Sequence, residues 1–341
     1  MKTVITYLKK EIVLGIAIIL AVLSVFFVRP DSQYLSYIDF RTLTILFCLM
    51  TIVAGFKELG FFDLLAEKLL TAAKSLRAAI LVLVFLCFFL SMVITNDVAL
   101  ITFVPFTITV LNKMGAKVRQ KWLFQVVVMQ TIAANLGSMF TPIGNPQNLY
   151  LFGLTDFTTL DFLKLMFPYT GMSGLVLVGW IFLSTCGTSG NVIPRDTAKN
   201  TVVVPGEKRR EKTIAYSLLL VLSLLTVGRI LPYWIVFICV LFYILCRNGA
   251  LLRKVDYSLL GTFAALFIFI GNLGRIQVFH DFLMKMITGR EVITAVIASQ
   301  VMSNVPAAIL LSGFTENVQG LIVGTNLGGL GTLIASMASL I

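Results

Sequence analysis

Asp97 is the residue whose type and surroundings most clearly ask for chemistry. It sits in Val93-Ile94-Thr95-Asn96-Asp97-Val98-Ala99, with apolar residues on both sides. A carboxylate at bilayer depth costs about 2.5–3.5 kcal/mol on insertion scales. Such a group binds a cation, carries a proton or pairs with a base. Its structural alternative is a helix cap for the arm that follows, and a cap at a hairpin tip also faces a ligand. Asn96 beside it, and Asn304 in Ser303-Asn304-Val305-Pro306, can each offer a carbonyl to a cation and an NH2 to an anion. Thr95 and Ser303 add hydroxyls, and Pro306 breaks the helix and frees backbone carbonyls.

A second constellation is Thr141-Pro142-Ile143-Gly144-Asn145-Pro146-Gln147-Asn148. Two prolines and a glycine between apolar runs exclude a regular helix. Irregular backbone at membrane depth is tolerated where it is buried in protein or lines a cavity. Thr141, Gly144, Asn145 and Asn148 are therefore candidates for ion or substrate binding, and the half-helix after them can point N–H groups at an anion. The run Gly324-Thr325-Asn326-Leu327-Gly328-Gly329-Leu330-Gly331-Thr332 adds Thr325 and Asn326, with close packing by small residues as the alternative. Na+ is the one bound ion these groups suit, at Asn96, Asp97, Asn145 or Asn304.

Other chemistries lack their residues. His280 is the only histidine. Cys48, Cys87, Cys186, Cys239 and Cys246 form no C-x-x-C pair and read as small hydrophobes. No Walker A, HExxH or GxSxG pattern is present, so no enzyme and no further cofactor is expected.

The elements that hold these residues must be membrane helices. The 341 residues are 58% hydrophobic and 13% charged, with mean hydropathy +0.96. A soluble domain carries roughly 25% charged residues. The net charge of +11 sits in short segments between apolar runs, where Lys and Arg set topology, and no nucleic-acid-binding motif accompanies it. We read apolar spans at 12–28, 42–56, 79–94, 98–112, 122–140, 163–183, 214–231, 233–246, 257–273, 292–312 and 321–341. The first ends without a small-x-small cleavage site and is read as a retained helix, not a signal peptide. With a cytoplasmic N-terminus, the segments 57–78, 113–121, 184–213 and 247–256 fall inside, and 20 of the 27 basic residues with them. That layout places the protein in a cell membrane. It divides the chain into an N-terminal helix (1–34), a first repeat (35–183), a cytoplasmic linker (184–213) and a second repeat (214–341).

The two halves align in three places, in the same order. Asp39-Phe40 matches Asp256-Tyr257, Thr95-Asn96-Asp97 matches Ser303-Asn304-Val305, and the run 135–143 matches 326–334. The charge layout puts Asp39 outside and Asp256 inside, so the expected fold is all-α and polytopic, with about 9–11 spans in two inverted-topology repeats. Inverted repeats with broken helices are a secondary-transporter architecture. By symmetry the second repeat lacks a counterpart to the span 163–183 before Ile341.

Thr95-Asn96-Asp97, the 141–148 segment, Ser303-Asn304-Val305-Pro306 and the run at 324–328 resemble the ion-transporter superfamily. That group includes citrate-transporter-like permeases, divalent-anion/sodium symporters, arsenite permeases and one class of sodium/proton antiporters. The resemblance covers residues 35–341. It implies a scaffold with a mobile transport domain in a homodimer, and re-entrant hairpins at 79–112 and 292–320. The divalent-anion branch carries Ser-Asn-Thr in each half. Here Asn96 and Asn304 match, whereas Asp97 and Val305 replace the third residue, and the acid looks more like the arsenite-permease and antiporter branch. The expected function is a secondary transporter moving a small anion with Na+ or H+. A sodium/proton antiporter and a non-transporting truncated subunit are the alternatives.

Overall fold

The computed structural model describes residues 11–71, 73–186, 206–332, 335 and 336, and these residues form helices with no strand among them. In chain order the helices are α1 (Ile12–Val25), α2 (Tyr34–Tyr37), α3 (Phe40–Glu58), α4 (Phe61–Thr71), α5 (Leu76–Ile94), α6 (Asn96–Lys113), α7 (Ala116–Ser138), α8 (Pro146–Leu154), α9 (Thr159–Ser184), α10 (Gly206–Val227) and α11 (Tyr233–Arg247). A 3-10 turn, Gly249–Lys254, leads to α12 (Tyr257–Gly274), α13 (Gln277–Ile287), α14 (Glu291–Met302), α15 (Asn304–Ser312) and α16 (Val318–Leu327). Helices α3, α5, α9 and α12 are long and apolar enough to cross a membrane.

Three span readings change. The 321–341 run is not one helix: α16 stops at Leu327, and 328–332 are irregular because three glycines fall between Leu327 and Thr332. The 184–213 linker is shorter, since α10 already begins at Gly206, and 187–205 lie outside the described residues. Two amphipathic helices occupy stretches that the apolar-span reading left without an element. In α4, Phe62, Ala66 and Leu70 are buried at helical spacing. In α13, Val278, Phe282 and Met286 instead form an exposed stripe, the pattern of a helix lying in a membrane interface.

Matched elements share local geometry. Asp39 and Asp256 cap α3 and α12 with φ/ψ of −78/85 and −79/85, their side chains accepting from the N–H of Thr42 and Leu259. Thr95 and Ser303 each stand alone between two helix arms, at φ/ψ of 69/153 and 76/156. Positive φ with extended ψ is nearly exclusive to glycine and costs about 1–3 kcal/mol.

The packing is reciprocal across the halves. Helix α1 packs on α12 with α2 beside it, while α11 and the 3-10 turn pack on α3. Asn272 of α12 donates to Ser24 Oγ (2.8 Å) and to Tyr34 Oη (2.9 Å). Helices α3 and α12 run antiparallel. Lys254, just before α12, pairs with Glu58 at the end of α3 (2.7 Å). At the other end Tyr37, before α3, lies on Gly271, where a Cβ would come within 2.3 Å of the ring. Arg275 there pairs with Asp31 (2.8 Å), and Arg41 donates to the last carbonyls of α10.

Candidate transport site

The first hairpin reverses at Thr95 alone. Its arms of 19 and 18 residues each reach about 27–28 Å. The second, α14 and α15, has arms of 12 and 9 residues and reverses at Ser303. At each tip the asparagine Oδ1 accepts the next backbone N–H at 2.9 Å: Asn96 from Asp97, and Asn304 from Val305. The short segment Ala335-Ser336 joins the tips. Asn96 Nδ2 donates to Ser336 Oγ (3.2 Å) and to Asn135 Oδ1 (2.9 Å), while the Asn304 N–H and the Ser303 hydroxyl donate to Ala335 O (3.0 and 3.4 Å). Asn96 Oδ1 therefore keeps one lone pair, whereas Asn304 Oδ1 also lies within reach of the Ser303 hydroxyl (3.3 Å), which limits what the two asparagines offer a cation.

The broken segment after α7 is tied in the same manner. The Thr141 hydroxyl donates to Met92 O near the end of α5 and accepts from the Gly144 N–H. Gly144 must be glycine, because a Cβ would stand 2.1 Å from Ser138 O. Asn148 donates to Ser138 O and Thr141 O. Asn326 donates to Asn148 Oδ1 (2.6 Å) and its Oδ1 accepts from Asn145 (3.4 Å). Asn145, Asn148 and Asn326 are thus one buried cross-half chain of amides. The Thr325 hydroxyl turns back onto Leu321 O of its own helix.

A cavity of about 580 Å³ reaches this region. One face of α3 forms a wall, with Leu46, Leu49, Met50, Val53, Ala54 and Lys57 at successive turns. Thr95 and Asp97 line it at the first hairpin tip, and Pro146 at the start of α8. Its charged members besides Asp97 are Lys57, Glu58, Lys254 and Asp256, all exposed at one end. Of the residues singled out by sequence, Thr95 and Asp97 face the cavity. Asn96, Asn145, Asn148, Asn304 and Asn326 pair with one another or with backbone behind its wall, together with Thr141, Gly144, Ser303 and Thr325.

Three buried oxygens or amides in this region lack a hydrogen-bond partner: Asp97 Oδ1, Asn145 Oδ1 and both ends of Gln147. Asp97 Oδ1, Asn145 Oδ1 and Gln147 Oε1 are acceptors of the type that a Na+ or a proton takes. Among the described residues no cluster of His, Cys, Asp or Glu could hold another metal. Lys57, Asp256 and Gln147 are not among the binding candidates read from the sequence. The first two look like ordinary span-end charges, and only the helical register 46-49-50-53-54-57 would have put Lys57 on the Leu46 face.

Residues 4–338 match the citrate transporter (CitMHS) family. The chain belongs to that family. A relative described as an uncharacterized transporter, from Methanocaldococcus jannaschii, is 32% identical over 328 residues, covering 96% of this chain and 86% of its own. The inner membrane protein YbiR of Escherichia coli is 30% identical over 322 residues, covering 94% and 83%. The human P protein is 34% identical over 140 residues, which are 40% of this chain and 16% of its own. As a citrate transporter family member the chain is an integral membrane transport protein, in agreement with the resemblance read from its motifs.

Proposed function

We propose that this protein is a secondary permease that moves a small anion across a cell membrane, coupled to Na+ or H+. The observation that carries the reading is the 580 Å³ cavity ending at Asp97. A bare ion needs far less room, whereas sites for small organic solutes run from about 300 to 1,000 Å³. The unpartnered Asp97 oxygen on the cavity wall is the natural seat of the coupled cation. Neutralising Asp97 lowers the cost of carrying it past apolar walls.

In this reading the two hairpins and α8 form the moving body. Their tips are bound to each other through residues 335–336 and through the Asn145–Asn326–Asn148 chain, so they shift together. The antiparallel α3 and α12, strapped by α11 and α1, form the frame, as expected of inverted repeats. The basic bias puts the Lys57–Lys254 end in the cytoplasm, so the cavity is inward-open. A homodimer joined through the frame completes the reading.

The test is uptake by proteoliposomes with Na+ and pH gradients imposed separately. Anion uptake driven by one gradient, with that dependence abolished in Asp97→Asn, supports the permease. A second reading, a sodium/proton antiporter, is favoured by Asp97 being the carboxylate at the inner end of the cavity. Na+ flux driven by pH with no anion flux would select it.

A further inference from the structure

The charges around the cavity go further than the family description, and the argument rests on the permease reading above. Three carboxylates, Glu58, Asp97 and Asp256, face two ammonium groups, Lys57 and Lys254. The two cations are not equivalent. Lys254 is held by Glu58 at 2.7 Å, and Asn248 donates to the other oxygen of the same carboxylate at 2.6 Å. Among the described residues Lys57 has no carboxylate within ion-pair distance and closes the α3 stripe that lines the wall. Among the described residues no arginine lines the cavity, so they offer no planar fork to a carboxylate. The amides that could have supplemented the cations are engaged with one another behind the wall. Most of the remaining wall is aliphatic: Leu46, Leu49, Val53, Val93, Ile101 and Leu259 are examples.

Among the described residues a substrate with two or three carboxylates would find one cation without an ion-pair partner, Lys57, with Asp63 as its acidic neighbour, and each further negative charge would face carboxylates or hydrocarbon. A further charge can stay hydrated at the exposed mouth, but carrying it along the aliphatic wall without a partner is strongly disfavoured. Volume does not decide the matter, because 580 Å³ admits either kind of solute. Charge does. We infer that the substrate is a monovalent anion with a short apolar body, its head received by Lys57 and its tail by the aliphatic wall, and not a di- or tricarboxylate.

The full chain in proteoliposomes tests this with propanesulfonate, butyrate, succinate and citrate, all radiolabelled. Propanesulfonate is included because it stays ionised and does not leak across the bilayer as a neutral acid. Expected are gradient-driven propanesulfonate uptake, competition by butyrate, and no uptake of or competition by succinate or citrate. Lys57→Gln should raise the half-saturating propanesulfonate concentration at least tenfold. Glu58→Gln should free Lys254 and create succinate uptake absent from the parent, a gain that misfolding cannot mimic. Citrate or succinate uptake by the parent protein overturns the substrate class and leaves the permease standing. An unchanged half-saturation in Lys57→Gln, or no succinate gain in Glu58→Gln, overturns the assignment of the anion to this mouth. Absence of flux for all four anions overturns the permease reading itself.

Discussion

At the scale of single residues, Asp97 was legible from its apolar flanks, and the structure puts it on the cavity wall with an unpartnered oxygen. The asparagines were legible as unusual but not as a network. Asn96 meets Asn135 across 39 positions and Asn326 meets Asn148 across 178, and nothing local in the chain encodes such pairings. The network makes a prediction of its own. Asn326→Leu strands the Asn145 and Asn148 amides in a buried setting, at a cost of about 1–3 kcal/mol per group. Thermal unfolding in detergent should therefore show a marked fall. Asn326→Asp should fall at least as far, since it keeps the acceptor for Asn145 but sets a buried carboxylate oxygen against Asn148 Oδ1 and Ile322 O, which the amide NH2 now serves. Gly144→Ala drives a Cβ into the Ser138 carbonyl and should cost about 1–3 kcal/mol by the same measurement.

At the scale of elements, the family resemblance implies the two hairpins, while the residues alone show only that polar positions interrupt the apolar runs at 95–97 and 303–306. The residue that makes each reversal was not foreseen. Thr95 and Ser303 adopt a backbone region that side chains other than glycine's avoid, so propensity points away from them. Their strain is held by the tip contacts with Ala335, Ser336 and the following N–H groups. Thr95→Gly and Ser303→Gly should each raise stability by about 1 kcal/mol, read as a higher Tm. A lower Tm in either would mean the hydroxyl contributes more than the strain costs. The amphipathic α4 and α13 escaped a reading tuned to long apolar runs, because each is only 11 residues and mixes charge with its apolar stripe. Helical periodicity was the signal available for both.

At the scale of the whole molecule, the order of matched motifs was visible in the chain, but the exchange of straps was not. Contacts between α1 and α12, and between α11 and α3, join positions too far apart for any pattern to show. They predict an asymmetric response to removing the first helix. Deleting residues 1–27 should raise hydrogen exchange across 257–274, where α1 packs, and leave 40–58 nearly unchanged, because α11 covers it. Equal deprotection of both helices would contradict the reciprocal arrangement.

The same exchange sets a timetable for biosynthesis. Ser24 donates locally to Ala21 O, but the bond it accepts from Asn272 must wait for a residue 248 positions later. At about 5–20 residues per second, that is roughly 10–50 s during which α1 stands in the bilayer without its mate. The frame cannot be finished from the amino end forward. It closes only after α12 has been inserted, although α11 can already lie on α3 by then.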